Sequence, residues 1–181
     1  MKLFAFLLVG ATLFLFGCNT ENPKTYFPFQ AFLEQELHLI DSLPVAIFKY
    51  QTKAEKTDTS IIEKAQFKEI AKGLLFLDLQ EKETYKNYQE LVLEDTDIKN
   101  ISISYTTENE TLPIKKLQLN IRTGTSAVRN FYVERTDLVD GITISRKILW
   151  NAGKSMVVNS IYFKNNKVQY TSSEKFSWSI D

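Results

Sequence analysis

Residues 160–171 read SIYFKNNKVQYT, and the fold follows from how this stretch closes on itself. Asn165 and Asn166 tolerate positive φ, which both centres of a two-residue hairpin turn require. With them at the turn, Phe163 faces Val168 and Ile161 faces Tyr170 on one side, while Tyr162 meets Gln169 and Ser160 meets Thr171 on the other. The apolar sets coincide, which strand propensity alone does not require. An antiparallel hairpin is predicted, and the alternation of Phe176, Trp178 and Ile180 with Ser177 and Ser179 carries strand structure nearly to Asp181.

Upstream the same period of two recurs back to about Tyr85. Ile101, Ile103 and Tyr105 alternate with Ser102, Ser104 and Thr106, and Leu117, Leu119 and Ile121 with Gln118, Asn120 and Arg122. Turn signals at Asn109-Glu110, Thr123-Gly124, Asp140-Gly141 and Ala152-Gly153 space these strands as long hairpins, so an up-and-down meander is expected.

Before the meander the period is helical. Phe29, Leu33, Ile40 and Leu43 share one side of a helix over 29–43 that Pro44 stops. Residues 44–51 read as a strand and Lys53–Thr59 as a charged loop. Ser60 and Glu63 have the spacing of a capping box, so a second helix is expected from Ser60 to about Phe76. The expected fold is α+β: two N-terminal amphipathic helices packed on a curved antiparallel meander of about six to eight strands. That arrangement resembles the half-barrel of periplasmic lipoprotein and lipid carriers.

Composition narrows the chemistry. The 22 basic and 22 acidic residues balance, which argues against nucleic acid, whose binders carry a clustered basic excess. Cys18 is the one cysteine and His38 the one histidine, so disulfides, cysteine metal sites and histidine-rich zinc sites have no residues to use. Glycines are isolated, without a phosphate-cradling loop. Glu94-Asp95-Thr96-Asp97 with Asn100 crowds oxygens as a calcium loop does, yet lacks its glycine and distal glutamate; a solvated turn is expected, with no metal and no cofactor. His38 falls on the solvent side of the first helix between Glu34 and Asp41. No catalytic residue is assigned.

Glu36 is the one local conflict, because helical spacing puts it on the apolar arc beside Phe32, Leu33 and Ile40. A carboxylate there needs a partner. Arg146 interrupts the inward series Ile142, Ile144, Ile148 and Trp150, and a buried Glu36–Arg146 pair would account for both anomalies.

The N-terminus reads MKLFAFLLVGATLFLFGC: one basic residue, Lys2, then an apolar run too short to span a bilayer. Leu15-Phe16-Gly17-Cys18 resembles the lipobox of bacterial lipoproteins, with Phe16 where a small or aliphatic residue is usual. The resemblance implies that residues 1–17 are a signal peptide, that Cys18 is lipidated, that 18–25 are a short tether and that 26–181 form one globular domain. Removing 17 of 181 residues leaves 164, a length that suits a single core. Asn19 is not the aspartate that retains lipoproteins in the inner membrane of enteric bacteria. The tether also lacks the acidic run of surface-exported lipoproteins. A lipid-anchored outer-membrane position facing the periplasm is therefore expected.

With Tyr26-Phe27-Pro28-Phe29 before the first helix and Leu75-Phe76-Leu77-Asp78 closing the second, the chain resembles small uncharacterised lipoproteins of Bacteroidota-type bacteria. Asp41-Ser42-Leu43 likewise resembles the tripeptide at which such bacteria glycosylate exported proteins. The function expected is a non-enzymatic binding or scaffolding domain in the cell envelope, held to the membrane by its anchor and meeting an envelope protein. The alternatives are a carrier of a lipid or other hydrophobic ligand in a half-barrel cavity, and a carboxylate-dependent envelope hydrolase.

Overall fold

In the computed structural model, which describes residues 26–53 and 56–178, the stretch 160–171 is the tip of the last hairpin. Strand β8 (Ser155–Lys164) pairs antiparallel with β9 (Lys167–Ser177) around Asn165 and Asn166, at φ 51° and 59°. Phe163 faces Val168 as expected. Beyond that pair the register slips: Tyr162 faces Tyr170 and Ile161 faces Thr171, leaving Gln169 as an extra residue.

A one-residue bulge flips every later side chain to the other face of the sheet. Here that flip sets the core. Without it Lys175 would lie opposite the buried Met156; with it Phe176 does, and Phe176 is fully buried. Tyr162 and Tyr170 stack at the tip, ring centroids 4.1 Å apart.

The remaining strands are β1 (Ile47–Lys53), β2 (Lys56–Ile62), β3 (Gln89–Asp95), β4 (Asn100–Thr106), β5 (Ile114–Arg122), β6 (Val128–Val139) and β7 (Ile142–Asn151). They form one open antiparallel sheet of nine strands in the order β2-β1-β9-β8-β7-β6-β5-β4-β3. The meander from β3 to β9 runs in sequence order, and the first hairpin is added beside β9. Among the described residues three helices accompany it: α1 (Phe29–Ser42), α2 (Lys64–Leu75) and the single turn α3 (Lys82–Tyr85).

The fold thus differs from two helices on six to eight strands. The main difference lies at 56–62, a strand where a loop and the start of a helix were expected. The capping-box spacing of Ser60 and Glu63 is a local signal worth about 1 kcal/mol, whereas these residues pair along their whole length with β1, from Ile47↔Ile62 to Lys53↔Lys56. Thr57, Thr59, Ile61 and Ile62 are β-branched and favour that pairing. The expected loop over Lys53–Thr59 is therefore mostly hairpin, and α2 begins only after Glu63. Strand structure is described as far as Ser177; Ile180 and Asp181, like Cys18 and the leader, lie outside the described residues.

α1 buries Phe29, Leu33, Leu37 and Ile40, and α2 buries Phe67, Ala71 and Leu75 against the same face of the sheet. Both are short, and their stability comes from this contact more than from propensity. Lys64, the first residue of α2, donates to the Asp41 and Leu43 carbonyls at the end of α1, tying the helices together where α1 runs out of internal partners. None of the described helices is long and apolar enough to cross a membrane.

Tyr88 joins α3 to the sheet by donating its buried hydroxyl to the Ile114 carbonyl at 2.8 Å. Burial pushes its pKa up from 10.0 to about 12. The folded state disfavours the phenolate, so the contribution is complete below pH 10 and lost as pH rises toward about 12. Alkaline titration should therefore destabilise the fold across that window, by up to roughly 3 kcal/mol from this residue. The Tyr88→Phe variant, followed by urea unfolding at successive pH values, is expected to show a shallower decline; an unchanged slope would show that Tyr88 does not carry it.

Candidate functional site

The two residues singled out on apolar faces, Glu36 and Arg146, are both where the pattern puts them, but the structure does not bring them together. Glu36 Oε2 accepts a hydrogen bond from Trp150 Nε1 at 3.2 Å. Trp150 is fully buried at the centre of an aromatic cluster, stacked on Phe131 at 5.5 Å and on Phe67 at 6.0 Å, with Trp178 at 5.1 Å. A buried indole N–H needs an acceptor, and Glu36 supplies it. Arg146 sits four residues back along β7, about 13 Å away by strand rise.

Arg146 instead pairs with Asp137 of β6. The same carboxylate takes Arg135, with Nη2 at 2.8 Å and Nε at 2.9 Å from its oxygens. Arg135 Nη1 also donates to the carbonyls of Gly73 and Leu74, at 2.9 and 3.0 Å, where α2 ends. The three side chains are only 17–18% exposed. Their arrangement orders the end of α2 over the sheet: one anion holds two cations apart, and one of these caps the helix. Sequence contained the signal, because a turn centred on Asp140-Gly141 places Arg135 opposite Arg146, two like charges that need an acid between them.

His38 is exposed on α1, and Glu34 pairs with Lys72 of α2 at 2.8 Å. His38, Glu36 and Ser42 line an open cleft of about 470 Å³ between α1 and the turn at Ser126–Val128. Histidine-assisted hydrolysis there would need His38 linked to both a hydroxyl and a carboxylate. Ser42 Oγ donates to the Leu39 carbonyl of its own helix at 2.7 Å, and Glu36 is engaged by Trp150. The cleft thus offers surface rather than an aligned set of reacting groups. At 94–97, Asp95 Oδ1 accepts from the Asp97 and Ile98 amides, closing a turn, and no metal-holding cluster occurs among the described residues.

The space between helices and sheet is the place a carried lipid would occupy. It is filled by Phe67, Phe131, Trp150, Phe176 and Trp178, each at most 2% exposed, so an acyl chain could enter only by displacing the core. These five aromatics are core rather than groove lining.

Exposed apolar surface lies elsewhere. On edge strand β3, Leu91, Val92 and Leu93 are 57%, 53% and 59% exposed, with Ile98 in the following turn at 61%. The other edge, β2, is polar over Lys56–Ser60.

No known protein family matches the chain, and no curated protein or solved structure is found to be similar to it. The class is accordingly the one that fold and site define: an open nine-stranded antiparallel sheet with helices on one face, a filled aromatic core, and one apolar edge.

Proposed function

We propose that this chain is a membrane-tethered, periplasm-facing lipoprotein whose domain binds or scaffolds another envelope component without catalysing a reaction. The observation that carries the reading is the leader ending in Leu15-Phe16-Gly17-Cys18. The domain's own features favour it over the alternatives: the helix–sheet space holds side chains where a carrier needs room, and the Glu36 carboxylate is engaged by an indole where a hydrolase needs it free.

The entry of the tether into the fold fits such an anchor. Tyr26, eight residues after Cys18, stacks on Tyr85 with centroids 4.7 Å apart. Gln80 Nε2 donates to its carbonyl, and the Phe27 amide donates to the Tyr105 hydroxyl. Eight residues reach at most about 29 Å, so the domain would stay close to its membrane. Several acyl chains on Cys18, each worth roughly 0.8 kcal/mol per buried CH₂, would hold it there without protein contacts.

Metabolic labelling with a fatty-acid analogue tests the reading. The wild-type chain is expected to take up label and partition with outer membranes, and Cys18→Ala to do neither; equal labelling of the two would remove the proposal's basis.

A further inference from the structure

We propose that β3 is a docking edge, which takes as a tenth strand an extended segment of another protein having aliphatic residues at its centre and lysine or arginine at both ends. The proposal rests on the binding reading above and names its surface and partner. Among the described residues β3 is hydrogen-bonded on one side only, to β4, and its other side is an edge of the sheet. An open edge presents backbone donors and acceptors that can pair with a further strand. Leu91 and Leu93 point to one face of the sheet and Val92 to the other, so an added strand would bury aliphatic surface on both.

Charge specifies the occupant. Acids bracket the aliphatics: Glu90, which accepts from the Tyr105 hydroxyl at 2.8 Å, comes before them, and Glu94 and Asp95, the latter also accepting from the Asp97 and Ile98 amides, come after them, so each keeps its negative charge beside the edge. An incoming strand with bases opposite these positions gains favourable cross-strand pairs, and one with acids there meets like charges. A second copy of the chain is disfavoured by the same rule. Pairing two β3 strands antiparallel so that Val92 meets Val92 and Leu91 meets Leu93 sets Glu90 against Glu94 on both sides. Edge β2 of another copy, aligned antiparallel with Thr59 opposite Val92, would set Asp58 and Ser60 against Leu93 and Leu91.

The test uses the full-length chain in detergent micelles and two labelled peptides, KRVIVKT and EEVIVET, followed by fluorescence anisotropy. KRVIVKT is expected to bind at least about tenfold more tightly at low salt, with the preference shrinking in about 0.5 M salt. Glu94→Lys should lower the preference several-fold. Leu91→Thr with Leu93→Thr, which keeps the charge, should weaken KRVIVKT by about tenfold. Bound KRVIVKT should also slow amide exchange over 89–95. The proposal is overturned if neither peptide binds, if both bind equally, if the threonine variant binds as the wild type does, or if exchange slows elsewhere. Self-association abolished by the threonine variant would overturn it in favour of a second copy. Labelling at Cys18 reads the anchor independently, so either idea can fail while the other stands.

Discussion

Replacing Trp150 with alanine is expected to remove about 3–5 kcal/mol of stability, a large fraction of the 5–15 kcal/mol typical of a domain. The indole stacks on Phe131, packs against Phe67 and Trp178, and is fully buried, so its loss strips contacts from both helices' landing sites at once. Urea unfolding should show the midpoint falling steeply. The companion variants separate packing from polarity. Glu36→Gln keeps an oxygen acceptor for Nε1 and should cost under about 1 kcal/mol, whereas Glu36→Leu leaves a buried N–H unmatched and should cost about 1–3 kcal/mol. Equal midpoints for the two Glu36 variants would mean that the carboxylate plays no part in holding the indole.

The second large effect is expected at Asp137. Its carboxylate lies between Arg135 and Arg146, which face each other across β6 and β7, and all three side chains are mostly shielded from water. Asp137→Ala leaves two like charges opposed without an acid and should cost about 2–3 kcal/mol, at the low end for a broken buried pair because some solvent reaches the site. Replacing all three, as Arg135→Met, Asp137→Leu and Arg146→Met, removes the charges together. That triple variant should recover most of the loss, keeping a deficit of about 1 kcal/mol for the uncapped carbonyls at Gly73 and Leu74. A triple variant less stable than Asp137→Ala, measured by the same urea titration, would contradict this account.

Much of the meander was legible because its strands alternate cleanly and its turns carry the residues that positive φ demands. Asp140-Gly141 and Asn165-Asn166 both sit at the centres of two-residue turns, with Val139↔Ile142 and Lys164↔Lys167 closing them. α1 ended within a residue of its predicted limit because Pro44 and the apolar spacing agree. The β1–β2 hairpin was missed because Lys56–Ser60 is polar and exposed, with no alternation of apolar and polar residues. The anomalies at Glu36 and Arg146 were real, yet their solution was not one contact but two, each made with a residue brought near by pairing or packing.

The sequence by itself determined the strand alternation, the turn positions and the face of α1, since each depends on neighbours a few residues apart. Tertiary structure decided the bulge at Gln169 that turns Phe176 inward, the partners of Glu36 and Arg146, and the exposure of Leu91, Val92 and Leu93 at a sheet edge. These depend on which strand lies beside which, and on where the sheet ends. Local pattern encodes the faces of an element, but burial is a property of what arrives to cover them.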